Sequence, residues 1–307
     1  MIWHPCFFAQ LSWAKPHRIL LSICEQIIID YARGIDSAIS KAEGRFIMTL
    51  NADEQDDPML VRSVEKAFRV LETFDPSHSR QTLTQLAQRA GIDRSAAQRF
   101  AHTLLHLGYL QKVPGSKTYE LAAKSLNMGY RYTRSSLLVQ RAHPYLLHLN
   151  RSTGETISLT LLDDTDIIYL ARYLSSNTLD NDVIVGSRLP AYCSAAGLVF
   201  LAGLDDTRIN DILERSDLRA FTPKTVFDPE QIWRRIYETR QRGFAIAEEQ
   251  VYANDIALAA PIYLPDGHTT AAAVLAASNL RYNEDTLLRQ FVPMMISATR
   301  SVTQNLT

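Results

Sequence analysis

The segment Thr82–Leu121, TLTQLAQRAGIDRSAAQRFAHTLLHLGYLQKVPGSKTYEL, leaves very few folds open. Apolar residues recur at three- and four-residue spacing on both sides of one glycine, so two short amphipathic helices must meet at a tight turn. Thr82 with Gln85 three residues on has the form of a capping box, and Leu83, Leu86, Ala87 and Ala90 form the inward stripe of the first helix. Gly91 ends that helix, because glycine adopts the left-handed conformation of a helix C-terminus at little cost. Asp93 caps the second helix, whose inward positions are Ala97, Phe100, Ala101, Leu104 and Leu107. Gly108-Tyr109 then leads into a strand at Leu110–Val113, Pro114-Gly115-Ser116 makes a hairpin tip, and Lys117-Thr118-Tyr119 returns.

A helix, a turn, a second helix and a basic hairpin, in that order, can set one helix in a DNA major groove and a wing on the adjacent backbone. Arg94, Ser95, Gln98, Arg99 and His102 are left on the outside of the second helix. Arginine and glutamine make bidentate bonds to guanine and adenine edges, and serine is less selective. Those five are therefore the candidate DNA-facing residues, together with Thr82 at the start of the first helix and Lys112 and Lys117 flanking the wing tip. A helical hairpin with solvated charges is the plainer reading, and charge distribution decides against it. Between Leu60 and Ser125 there are ten basic and five acidic side chains; from Leu137 to the end there are fifteen and twenty. The formal net charge of −1 thus hides a basic head and an acidic body, as expected if only the head meets phosphates.

At 307 residues with 46% hydrophobic content the chain has room for about two domains with real cores. Cys6, Cys24 and Cys193 are too scattered for a metal signature or a disulfide framework, which predicts no cofactor and a reducing, cytoplasmic setting. Ile19–Ile29 is apolar but interrupted by Glu25 and Gln26 and too short to span a membrane, and no small-residue cleavage site follows it. Glu43-Gly44 can be encoded by a purine-rich ribosome-binding sequence just upstream of Met48, so translation is expected to begin at Met48. The expected organisation is a poorly ordered extension at 1–59, a winged helix-turn-helix domain at 60–124, a linker helix at 125–137 and a second domain at 138–307. Leu60–Phe74 reads as a helix with Leu60, Val64, Ala67, Phe68 and Leu71 on one face, and Leu121–Ser136 as the linker with a stripe of Leu121, Ser125, Met128 and Tyr132.

The remainder mixes both periods. Strands are predicted at Glu155–Leu162 and Ile167–Tyr173 around a polar turn, then at Val183–Leu189, Phe244–Ala247, Ile256–Leu264 and Thr269–Ser278. Helices are predicted at Gln140–Thr153, Ser194–Leu204, Asp206–Arg215, Pro229–Gly243 and Glu284–Leu306. This is an α+β pattern, a mainly antiparallel sheet with helices packed on it.

Over Leu60–Leu306 the chain resembles the IclR family of bacterial transcription regulators. The resemblance rests on the helix-turn-helix and wing, on GSRLPAYCSAAGLVFLA at Gly186–Ala202 and on RGFAIAEEQ…ALAAPIY at Arg242–Tyr263. LPAYCSAAG together with DLRAFTPKTVFDPE at Asp217–Glu230 is most similar to the branch that regulates degradation of aromatic acids such as protocatechuate and 4-hydroxybenzoate. It implies a winged head, a helical linker and a GAF-like effector domain, in dimers or tetramers bound to palindromic operators, with RNA polymerase as a further partner of an activator. It also implies an effector pocket at Cys193, Ser194, Ala195, Ala196 and Gly197, where helix-start amides can hold a carboxylate, and at Ala247, Ala257, Val274 and Ala276. Members that bind very small acids carry polar side chains at several of these positions. Two alanines, a valine and an alanine therefore predict a roomier, more apolar pocket for a ring or longer acyl chain with one acidic end. Arg188 is the nearest candidate counter-ion, and equally reads as a surface arginine.

One stretch departs from the family pattern: Asn254-Asp255-Ile256-Ala257 stands where the family runs Gly-apolar-Arg-Ser. The glycine is gone and an acid replaces an apolar residue, which predicts an altered loop. Two rivals follow. One is a regulator with a vestigial sensor, acting constitutively or through a protein partner. The other is an enzyme with Cys193 or Ser194 as nucleophile and His268 as base. Ser194 lacks a GxSxG elbow, and His268 lies in a predicted turn with no third group to orient it.

Overall fold

The computed structural model describes residues 59–175 and 183–306. The expectations for the first 58 residues, the Met48 start among them, lie outside the described residues. The head comprises α1 (Arg62–Glu72), β1 (Gln81–Thr82), α2 (Leu83–Arg89), α3 (Arg94–His106), β2 (Leu110–Lys112) and β3 (Thr118–Leu121). Thr82 and Gln85 form the full capping box, with the Thr82 amide donating to Gln85 Oε1 at 2.8 Å. Gly91 has φ 63°, and the Ala96 amide donates to Asp93 Oδ1 at 2.8 Å at the start of α3. Val70, Leu86, Ala90, Ala101, Leu104 and Leu110 make one small core.

Three details differ from expectation. Leu107 is exposed, because α3 ends at His106 and Leu107 is already its C-cap. The buried side of α1 is Val70 with Leu71 and Phe74, while Val61, Val64 and Phe68 form a second, exposed stripe; a helix with two apolar stripes does not reveal from spacing which one faces inward. Asp75–Gln81, which reads as loop from its composition, ends in a strand, with Gln81 and Thr82 pairing with Tyr119 and Thr118 to give the sheet order β1-β3-β2. Two residues are too few to show a period.

After a 3₁₀ turn at Ala123–Ser125 come α4 (Leu126–Ser135) and α5 (Leu137–Thr153). They are separate helices: Ser136 leaves the helical region (ψ 112°), and its hydroxyl accepts from the Val139 amide at 3.3 Å to start α5. Of the predicted linker stripe only Met128 and Tyr132 lie on α4, since Leu121 ends β3 and Ser125 ends the 3₁₀ turn; Leu121, Leu126, Met128, Tyr130 and Tyr132 are all exposed.

The body is built from β4 (Thr156–Asp163), β5 (Asp166–Tyr173), β6 (Arg188–Pro190), α6 (Ala195–Ala202), α7 (Asp206–Arg215), α8 (Pro229–Arg242), β7 (Ala245–Glu248), β8 (Asp255–Tyr263) and β9 (Thr269–Ser278). It closes with α9 (Glu284–Thr286), a π-helical stretch at Leu287–Phe291 and α10 (Val292–Leu306). The six strands run β6-β5-β4-β9-β8-β7, every neighbour antiparallel. Alternation along β9 feeds two cores. Ala271, Ala273, Leu275 and Ala277 join α5 and α10 through Leu146, Leu149, Met295 and Val302. Ala272 and Val274 join α6, α7 and α8 through Leu198, Ile209, Ile232 and Ile236. The predicted strand at Val183–Leu189 shrinks to Arg188–Pro190, because Gly186 (φ 90°) and the Ile184 amide donating to Ser187 Oγ make a turn there. The expected single closing helix is instead broken by its π-helical turn. Among the described residues no helix is long and apolar enough to cross a membrane.

Helix α6 is buried almost along its whole length, as a helix apolar on all sides must be. A Cβ at Gly197 would stand 2.0 Å from the carbonyl oxygen of Ala191. The Ala191–Cys193 segment therefore lies directly against the first turn of α6. Gly197→Ala is expected to destabilise the protein by about 1–3 kcal/mol or more, the usual cost of overpacking a filled core. Thermal unfolding measures this, and an unchanged Tm would show that the segment yields freely.

Candidate DNA interface and buried cavity

The outer face of α3 and the wing share one open groove, lined by Ser95, Gln98, Arg99, His102, Leu105, Lys112 and Tyr119. Five of the eight residues expected to face DNA thus converge. Arg94 stands exposed at the first position of α3, outside that groove, and Lys117 is exposed beside the wing tip. Thr82 is only half-buried, but its hydroxyl belongs to the capping box of α2. Tyr119 was not anticipated. Its ring packs against the head's core and lies 5.9 Å from Lys112 Nζ, a contact that spacing within one strand does not reveal.

Ion pairing sorts the head's cations into two groups. Arg69 pairs with Glu65, Arg80 with Glu120 at 3.0 Å and Arg89 with Asp75 at 2.7 Å. Lys124 donates to the Leu107 carbonyl at 2.8 Å and lies over Tyr109. These bases brace the fold. Among the described residues Arg94, Arg99, Lys112 and Lys117 have no carboxylate within 4.0 Å, and the same holds of Lys66 on α1 and of Lys124, which is bound to the Leu107 carbonyl instead. Glu120, the acid of the wing, is held below its ordinary pKa by hydrogen bonds from Gln111 and Arg80, so its charge is compensated locally.

The body holds a cavity between its sheet and the start of α6. Of the positions implied by the resemblance, Ser194, Ala195, Ala196, Ala247, Ala257, Val274 and Ala276 line it. Cys193 is buried but in the core, and Gly197 is spent on its contact with Ala191. Arg188 has to be corrected: it is outside the cavity, with its guanidinium taken by Asp166 at 3.1 Å and by Asp163 across the β5–β6 edge. Asp163 ends β4 and Asp166 starts β5, so the two acids flank the hairpin turn. Nor is the cavity roomy as it stands, although most of its wall is apolar. Its volume is about 40 Å³, with Ile167, Val183, Leu189, Val251 and Tyr252 in the wall beside the small residues. Its wall also carries Ser158, Arg172, Gln250 and Asp255.

Arg172 and Asp255 are the side chains that sequence reasoning missed as a pair. Burial pushes the Asp255 carboxyl up to about 7, opposed by the charge of Arg172. Burial likewise lowers Arg172, which lies 5.4 Å from the centroid of the Tyr169 ring. Asn254, at the departure from the family pattern, has φ 59°. Asparagine tolerates this region better than most side chains, so the turn that a glycine would allow is kept, with its amide bound to Glu249 Oε1 at 2.8 Å. Gln250 is fully committed: its oxygen accepts from Val226 and Arg235, and its nitrogen donates to the carbonyls of Lys224 and Glu248.

The chemistry of a nucleophile is not built here. The Cys193 thiol is pushed up to about 12 by burial, against the opposing charge of Arg235, which keeps it protonated. Ser194 Oγ accepts from the Gly197 amide at 3.2 Å as the cap of α6. Among the described residues neither hydrogen-bonds to His268, whose amide is held by Asp266 in the turn before β9.

Comparison with known proteins agrees with this geometry. The IclR helix-turn-helix domain matches residues 63–114, and the C-terminal domain of the bacterial transcriptional regulator IclR matches residues 130–304. The Pca regulon regulatory protein of Pseudomonas putida is 32% identical over 81% of this chain and 86% of its own. The p-hydroxybenzoate hydroxylase transcriptional activator of Acinetobacter baylyi is 29% identical over 76% and 88%. The crystal structure of an IclR transcriptional regulator from Alicyclobacillus acidocaldarius superposes with a TM-score of 0.70 at 24% identity, covering 81% of this chain and all of that one, and so shares the fold. The chain therefore belongs to the IclR family of bacterial transcription regulators, which bind DNA and are not enzymes.

Proposed function

We propose that this regulator controls genes of aromatic-acid catabolism and that a small organic acid sets its activity. The observation that carries the reading is the division of the head's cations, which leaves Arg94, Arg99, Lys112 and Lys117 without carboxylate partners on the side where α3 and the wing meet. Residues 60–124 serve as the DNA-binding head, 125–137 as the linker and 138–307 as the sensor. Arg94, Ser95, Gln98, Arg99 and His102 face base edges, while Lys112, Lys117 and the start of α2 at Thr82 meet phosphates. The names of the two regulators most useful for comparison, one of a Pca regulon and one of p-hydroxybenzoate hydroxylase, support an aromatic acid as effector. The first-turn amides of α6 at Ala195 and Ala196 lack intrahelical acceptors and suit its carboxylate.

The exposed stripe of α1 (Val61, Val64, Phe68) and the exposed apolar residues of α4 support self-association into a dimer or tetramer on a palindromic operator in the cytoplasm. Contact with RNA polymerase follows if the regulator activates. An effector must enlarge the small cavity to enter it. It shifts the arrangement of heads only by binding one arrangement better than the other. The small cavity also favours a second reading, a vestigial sensor in a regulator that acts constitutively or through a protein partner.

Arg94→Ala or Gln98→Ala is expected to cost about 1–3 kcal/mol at the cognate operator and to relax base choice there. Lys117→Ala should weaken cognate and random DNA alike and reduce the salt slope by about one. Gel-shift titrations at several salt concentrations measure both, and equal losses on the two DNAs for Arg94→Ala would remove it from the base readers. Thermal-shift titration separates the two sensor readings. An aromatic acid at a hundred times its Kd should add about 2.7 kcal/mol of stability, whereas a vestigial sensor shows no shift with any acid.

A further inference from the structure

Two residues that line the body's cavity each carry a polar atom without a partner. Arg172 Nε and Asp255 Oδ1 are both buried and make no hydrogen bond, and both residues line the cavity beside the start of α6. They do not satisfy each other, since no nitrogen–oxygen contact within 4.0 Å joins them. A buried polar group left unpaired is destabilising, so two on residues that line one cavity require an explanation. Their neighbours do not supply it: Gln250 is committed to four hydrogen bonds, and Ser194 caps α6.

The two atoms are complementary, one an N–H donor and the other a carboxylate acceptor. A hydroxyl satisfies both at once, donating its hydrogen to Asp255 and accepting from Arg172. An ether oxygen only accepts. A second carboxylate would suit Arg172 but place like charge beside Asp255. The two residues stand on the sheet, at β5 and at the start of β8, whereas the amides suited to an acid belong to the helix. Ala247, Ala257 and Val274 supply apolar wall in the same cavity.

We propose that Arg172 and Asp255 are the specificity-determining pair of the effector site and read a hydroxyl on the ligand, so that the effector is a hydroxylated aromatic acid rather than an unsubstituted one or a diacid. This rests on reading the cavity as the effector site. The burial that raises Asp255 also strengthens the bond it would accept, because water does not compete for it. A site built to bond a hydroxyl discriminates strongly against the analogue that lacks it, since its own polar groups are then left unpaired.

The test is calorimetric titration of the full chain with benzoate, 3-hydroxybenzoate, 4-hydroxybenzoate and the two corresponding methyl ethers. One hydroxy acid is expected to bind at least about tenfold more tightly than both benzoate and its own ether. In Asp255→Ala that ratio should fall to within about threefold. Equal wild-type affinity for benzoate and both hydroxybenzoates would overturn the inference and leave the effector site standing; so would a folded Asp255→Ala protein that keeps the preference. Binding of none of the five acids would instead overturn the aromatic-effector reading, and this inference with it. The wild-type series decides the matter even if Asp255→Ala does not fold, and Asp255→Asn, which keeps an acceptor oxygen, should preserve part of the preference.

Discussion

Helix α6 has no polar side, and it can exist in water only if apolar surfaces close over it from every direction. The sheet supplies one of them through Ala259, Ala272 and Val274, and α7 and α8 supply the other through Ile209, Ile212, Ile232 and Ile236. Most of the body follows from that enclosure. Because β9 lies in the middle of the sheet, with a helix layer on each side, its residues are small and apolar on both faces, which is why TTAAAVLAAS alternates in direction without alternating in polarity. Ala191 approaches α6 so closely that its first turn accepts only glycine at position 197. The same approach brings the start of the helix to the cavity, where two of its amides are free of the helix's own ladder.

The head solves a different problem. A domain with so small a core cannot spend all its charges on DNA and still hold its loops. Glu65 engages Arg69 within α1, Asp75 and Glu120 engage the arginines that tie the turn after α1 to α2 and the start of β1 to β3, and Lys124 ties the linker back to the end of α3. Exposed ion pairs of this kind contribute little stability individually. Their larger effect is on the field: they neutralise bases away from the groove and leave uncompensated charge near it.

The head was legible from sequence because each of its signals is local. A cap at Thr82, a left-handed glycine at 91, a second cap at Asp93 and the three- and four-residue spacing between them are all written in consecutive residues. Which stripe of α1 turns inward was not legible, nor was the short strand β1, whose partners Tyr119 and Thr118 lie 38 and 36 residues further along the chain. In the body, element types and the small residues of the cavity wall could be read, the latter through resemblance. The charged part of the wall could not. Arg172 and Asp255 are 83 positions apart on strands that do not pair, and β4 carries a register shift at Leu159/Thr160 that resets which residues of β5 face inward. Arg188 misled for the converse reason: it is close in sequence to the start of α6, but Asp163 and Asp166 lie closer in space.

Thr82 holds two positions at once. It is the cap that starts α2, and it is also the strand residue paired with Thr118 of β3. The hairpin is thereby fastened to the helix end by backbone hydrogen bonds rather than hanging from a flexible hinge. A force applied at the wing tip would be felt at the first turn of α2, so the protein meets a duplex with a single stiff palm in place of a finger and a loose flap.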